Sequence, residues 1–186
     1  MSEAFRIVGI DPGSFRCGYG VIALHAGCFQ VLEYGVIEAR RNVVELPSRL
    51  RFIFGRLQGV LERTNPHEAA VETAFYSRNA QSLAKLAQAR GIVLLALALA
   101  NLPIVEYSPR EVKQSVTGRG NAAKEQVRYM VQALLGLPAA PRFYDISDAL
   151  AVALCHAFRR SRILDGGTPR TWAEFVRRFP GRVLNP

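Results

Sequence analysis

Four carboxylates stand where an acid is costly unless it works. Asp11 closes the apolar run Arg6-Ile7-Val8-Gly9-Ile10 and is followed by the turn Pro12-Gly13. An acid at the lip of a buried strand needs a cation or a hydrogen-bonded phosphate to compensate it. Glu72 closes a second, shorter run, Ala69-Ala70-Val71. Asp145 and Asp148 are three residues apart, so on a helix they face the same side. If the two strands are neighbours, Asp11 and Glu72 open at one sheet edge, and a helix starting at Asp145 closes the cluster. Four crowded carboxylates repel, so some must protonate or share cations. Hard ions such as Mg²⁺ take oxygen ligands. Two of them about 4 Å apart can activate a water and stabilise the leaving oxygen in phosphodiester cleavage. His and Cys are absent from these positions, which argues against zinc.

Each acid also has an ordinary reading. Asp145 can be an N-cap, Asp148 can favour the helix dipole, Glu72 can end an edge strand, and Asp11 can form a turn. What joins them is the charge of the chain. At 186 residues, half of them apolar, it has a formal charge of +9. That balance favours a polyanionic partner, nucleic acid above all. Only Lys85, Lys113 and Lys124 are lysines; the other basic residues are arginines. Cys17, Cys28 and Cys155 are odd in number, lack metal-ligand spacing, and read as buried hydrophobes in a reducing compartment. No signal peptide is read. The apolar run Ile92–Ala100 is too short to span a bilayer, so a cytoplasmic protein without membrane contact is expected.

The elements that must position these residues are legible in outline. Phe5–Ile10, Gly18–Leu24 and Phe29–Ala39 read as strands joined by short loops, hence an antiparallel meander. Pro47 opens a helix with Leu50, Ile53, Phe54, Leu57 and Leu61 at helical spacing, and Pro66 ends that segment. Glu68–Glu72 and Ile104–Tyr107 read as further strands. Helices are expected from about Asn79 to Leu99, from Ser108-Pro109, from an N-cap at Asn121 through Leu135, and from about Asp145 to Arg162. The sum is a mixed α/β sheet flanked by helices: a three-strand antiparallel meander plus two parallel strands. Residues 1–164 form one domain, and 165–186 read as a basic, partly mobile extension. Arg170, Arg177, Arg178 and Arg182 there can touch DNA or solvate a tail; Trp172 and Phe175 suggest partial docking.

With these residues in place the chain resembles the RuvC family of Holliday-junction resolvases over about residues 5–160. The resemblance rests on Gly9-Ile10-Asp11-Pro12-Gly13, Val71-Glu72-Thr73-Ala74-Phe75, Val112-Lys113-Gln114 with the Gly118–Lys124 loop, and Asp145-Ile146-Ser147-Asp148-Ala149-Leu150-Ala151. It implies an RNase H-like fold and a homodimer that nicks four-way DNA junctions symmetrically with Mg²⁺ or Mn²⁺, two ions per site. It further implies a 5′-phosphate and 3′-hydroxyl product and contact with the branch-migration proteins RuvA and RuvB. Asp11, Glu72, Asp145 and Asp148 fall on the family's catalytic, metal-holding positions. Phe75, with Tyr76 second, falls where an aromatic stacks on junction bases. Lys113, Arg119 and Lys124 fall at or beside its DNA-binding positions, with Lys124 near a helix N-terminus suited to phosphate. A dyad-related pair of sites needs an isologous dimer. The long helix is the candidate interface, through Leu83, Leu86, Ala87, Arg90, Gly91, Leu94, Leu95 and Ala98, unless all its apolar faces enter one core.

Other classes share parts of this pattern. An actin-like or sugar-kinase-like ATPase also uses an acidic turn between strands, but normally needs two such domains. A related RNase H-like nuclease acting on RNA differs in substrate alone. A catalytically dead junction-binding module has no need of four intact acids.

Overall fold

Period-two alternation builds the sheet and decides where the acids point. The computed structural model describes residues 4–25, 28–39, 45–73 and 79–164. In β1 (Phe5–Asp11), Ile7 enters one core, Val8 and Ile10 the other. Asp11 therefore shares a face with Ile7 and Gly9. β1 pairs antiparallel with β2 (Arg16–His25), and β2 with β3 (Cys28–Glu38). β4 (Glu68–Glu72) lies parallel to β1, with Ile10 opposite Val71. β5 (Ile104–Tyr107) lies parallel to β4, with Glu72 opposite Tyr107. The order β3-β2-β1-β4-β5 is the expected meander plus two parallel strands.

Helices cover both faces. α1 (Leu46–Thr64) and α2 (Ala80–Leu99) pack on Val8, Ile10, Ala69 and Val71. Pro47 sits in the first turn of α1, and Asn65 ends that helix in the left-handed region at φ 42°. Asn79 caps α2 by accepting the Ser82 N–H at 2.8 Å. On the other face lie α3 (Pro109–Thr117), α4 (Lys124–Leu135) and α5 (Tyr144–Leu164). Ser108 and Glu111 form a capping box at α3. Cys17 and Cys155 are buried and Cys28 half-buried, all three as free thiols.

One expectation changes. Asn121 is not the cap of α4. The helix starts at Lys124 behind Ala123, whose N–H is taken by the Gln126 side chain at 3.1 Å. Arg119 to Ala122 close a turn instead, with Ala122 N–H bonded to the Arg119 carbonyl. A glutamine three residues into the helix can satisfy the first amide, so the polar residue at 121 is not needed there. The apolar stretch at 92–100 belongs to the long helix expected from about Asn79 to Leu99. By length and composition α2 could cross a membrane, yet Ala89, Val93, Ala96 and Leu97 are buried inside the protein.

α5 lies directly on the strand backbones. A Cβ added at Gly9 would sit 2.2 Å from the Ala149 carbonyl oxygen; one at Gly18 would sit 1.9 Å from that of Asp145. Only hydrogen in place of a side chain permits this approach. Ala149, Ala151, Ala153 and Ala157, all fully buried, continue the close packing along α5. Gly18→Ala is expected to cost about 1–3 kcal/mol by overpacking. A urea unfolding midpoint equal to that of the parent chain would refute the close-approach reading.

Candidate active site

The sheet topology brings together residues far apart in the chain. Asp11 and Glu72 end adjacent parallel strands and point to the α5 face. Asp145 lies in the first turn of α5, and Asp148 one turn further. Gly18 lets that first turn settle on β2, so the α5 acids come down over the strand ends. The four acids thus lie at one end of the sheet, near enough for Glu72, Asp148 and Asp145 each to act on Asp11.

Their electrostatics are those of negative charge crowded out of water. Burial first, then the charges of Glu72, Asp148 and Asp145, push the Asp11 carboxyl well above the ordinary carboxylate range. Burial, then Asp148, pushes Glu72 up to about 7. Asp148 is also raised, by burial, against the pull of Lys124. Three of the acids are paired. Glu72 and Asp11 lie close enough to share a proton, and Lys124 Nζ lies 3.4 Å from Asp148 Oδ2. Among the described residues no three acidic, imidazole or thiol groups converge as they stand to cradle an ion. The donor chemistry still fits hard divalent cations: an all-oxygen set, deficient in positive charge and reluctant to ionise without it.

Lys113 and Lys124 both act on this cluster. Lys113, on α3, draws Glu72 and Asp148 toward ionisation, as does Lys124. Lys124 is the first residue of α4, where a cation opposes the helix dipole. The charge of Asp148 offsets that cost and raises the lysine's pKa. Arg119 is exposed on the loop after α3, its backbone tied to the Thr117 hydroxyl. No described contact joins it to the acids. Phe75 and Tyr76 lie outside the described residues.

The far end of α5 is fixed by a group that sequence reasoning missed. His156 Nε2 lies 2.6 Å from Glu68 Oε2, and its Nδ1 lies 2.7 Å from the Tyr107 hydroxyl. A neutral ring with its proton on Nε2 donates to Glu68 and accepts from Tyr107. Burial holds the His156 pKa below its usual value, in keeping with that form. Arg160 bonds the other Glu68 oxygen. The available signal was periodic: Glu68 and Glu72 are four apart in one strand and so share a face.

Comparison with known proteins agrees with this geometry. The sequence profile of the family described as "Crossover junction endodeoxyribonuclease RuvC" matches residues 7–156. A RuvC of Chlorobium chlorochromatii is 41% identical over 189 residues, covering 96% of this chain and 98% of the relative. One from Moorella thermoacetica is 48% identical over 152 residues, covering 81% and 90%. The solved structure of Thermus thermophilus RuvC in complex with a Holliday junction substrate superposes with a TM-score of 0.78 at 39% identity, covering 84% of this chain and 94% of that one. The yeast mitochondrial resolvase Ydc2 shares the fold at a TM-score of 0.59 and 15% identity.

The raised carboxylates set a sign for stability. Between roughly pH 4 and 7 the folded chain keeps protons that the unfolded chain has released, so stability falls as pH rises through this window. At pH 8 in a chelator, Asp11→Asn removes one source of the repulsion. It is expected to raise the thermal midpoint by about 2–4 °C for each kcal/mol relieved. A lowered or unchanged midpoint in a melting scan would count against a repulsive cluster.

Proposed function

The chain belongs to the RuvC family of crossover junction endodeoxyribonucleases and so is a nuclease that resolves Holliday junctions; we propose that Asp11, Glu72, Asp145 and Asp148 carry its chemistry. The observation behind this is that four half-buried acids meet at one end of the sheet, three of them held above the ordinary carboxylate range, beside two lysines on a strongly basic chain. Divalent cations held by the four acids, Mg²⁺ or Mn²⁺ and two per site, would supply Lewis-acid stabilisation of charge developing on the scissile phosphate. The chain's own part is placement. The α5 contact sets the aspartate pair opposite the strand-end pair. Lys124 and Lys113 attract the phosphate backbone and offset the local negative charge. The products are a 5′-phosphate and a 3′-hydroxyl.

Phe75, with Tyr76 beside it, is assigned to stacking on an unpaired junction base, and Arg119 to the DNA backbone. Residues 1–164 form the nuclease domain, with 165–186 as a basic extension. The partners are the four-way junction, a second copy of the chain and the branch-migration proteins RuvA and RuvB, all met in the cytoplasm.

The second copy fits α2. Leu83, Ala87, Gly91, Leu95 and Ala98 are exposed along one face, while Leu86, Arg90 and Leu94 are half-buried. Leu95 is 48% exposed and Leu99 59%. An open apolar face with small residues between the leucines suits an isologous helix contact.

The deciding assay incubates the protein with a synthetic four-way junction, with and without Mg²⁺ or Mn²⁺, alongside labelled RNA. Paired symmetric nicks in the junction are expected. Cleavage of RNA alone would move the chain to another nuclease class. Asp11→Asn should bind the junction as the parent does and lose cutting by several orders of magnitude. Unimpaired cutting by that variant would remove Asp11 from the chemistry. Leu95→Glu should shift the protein from dimer to monomer in light scattering and uncouple the two nicks. A dimer that survives the substitution would exclude this face.

A further inference from the structure

A cavity of about 720 Å³ opens beside the four acids and shares Asp145 with them. Gly13, Ser14, Phe15, Arg16, Glu38 and Ala39 line the rest of it. Its size lies within the roughly 300–1,000 Å³ usual for ligand sites. The loop that forms one wall is held tightly. The Phe15 carbonyl accepts the Ala39 N–H at 3.0 Å, and a Cβ on Gly13 would meet the Arg16 carbonyl oxygen at 2.1 Å.

Phe15 is 50% exposed, an unusual position for a large aromatic on an ordered loop. Its ring is backed by the Arg49 guanidinium, 4.0 Å from the ring centre. Arg49 itself is 4% exposed, and among the described residues its Nε has no hydrogen-bond partner. A buried guanidinium without that bond is costly, and the aromatic face is what compensates it. The fold thus commits a buried cation to holding an aromatic ring out toward solvent.

Arginines lie close to the ring, with Glu38 and Asp145 as the acids of the lining. Arg16 bonds Glu38 at 2.9 Å and so neutralises the acid of that wall. The Arg16 guanidinium lies 4.9 Å from the centre of the Phe143 ring, and that of Arg142 lies 5.3 Å from it. A flat π-face next to guanidinium groups matches a nucleotide: the ring takes the base and the arginines take the phosphates. A free phosphate would have no use for the ring, and an apolar side chain none for the arginines.

We propose that Phe15, backed by Arg49, is a stacking platform for one unstacked base of the DNA strand whose phosphate lies at the four acids, with Arg16 on a flanking phosphate. This rests on the junction-cleaving reading above. It adds a second aromatic contact, after β1, to the one assigned to Phe75 after β4.

The test uses four-way junctions carrying 5-iodouracil at each nucleotide near the nick in turn. They are photocrosslinked to the full-length Asp11→Asn chain in chelator, so that nothing is cut. One position should crosslink to the peptide containing Phe15, and Phe15→Leu in the same background should reduce that product about tenfold or more. In the cutting-competent chain, an abasic site at that position and Phe15→Leu should each slow nicking roughly tenfold, the order expected for one lost stack. The two combined should be no slower than either alone, and Phe15→Tyr should restore the rate. No crosslink to Phe15 from any position, or two effects that multiply, would overturn the proposal. If Phe15→Leu does not fold, the crosslink map of the Phe15-containing chain decides alone. A parent chain that nicks no four-way junction would overturn the junction reading and this inference together. Nicking without the Phe15 crosslink overturns this inference only.

Discussion

The fold depends on how closely α5 can approach β1 and β2. Gly9 and Gly18 remove the side chains that would hold the helix off, and the alanines of α5 complete the contact. A helix held off by even one methyl layer would carry Asp145 and Asp148 away from Asp11 and Glu72. The approach is therefore a condition of the site as well as of the core. Interiors packed at crystal-like density transmit such a displacement rather than absorb it.

That approach has an electrostatic cost. It forces acids into a poorly hydrated space, where each disfavours ionisation of the others. The protein answers with Lys124 on Asp148. Lysine at the first position of a helix is a poor choice for the helix alone. Its presence there is explained by the charge it faces. The far end of α5 is held independently, by His156 and Arg160 on Glu68. The helix thus rests on β2 and β1 at its start and is bonded further along to β4, the strand that supplies one of the acids.

Much of this was legible from local pattern. Strand ends at Asp11 and Glu72 follow from apolar runs closed by an acid, and the helical face of Asp145 and Asp148 follows from their spacing. The meander follows from short loops. Other features were hidden because they depend on partners distant in sequence. His156 sits within an almost wholly apolar run and looks like one more buried position; its partners are Tyr107 and Glu68. Phe15 reads as a loop residue until Arg49, 34 positions later, is found against its ring. The cap at Asn121 failed because two local solutions competed, and Gln126 won.

The sequence by itself determined which residues carry charge, which runs are strands, and which pairs share a face, because those depend on periods of two and 3.6 residues. It also carried enough motif to suggest the family. Only the tertiary structure decided that β4 lies beside β1, that α5 rests on bare backbone, and that a buried arginine supports an exposed phenylalanine next to the acids. Those are contacts between residues tens of positions apart. They arise from packing and desolvation in three dimensions, which no local period encodes.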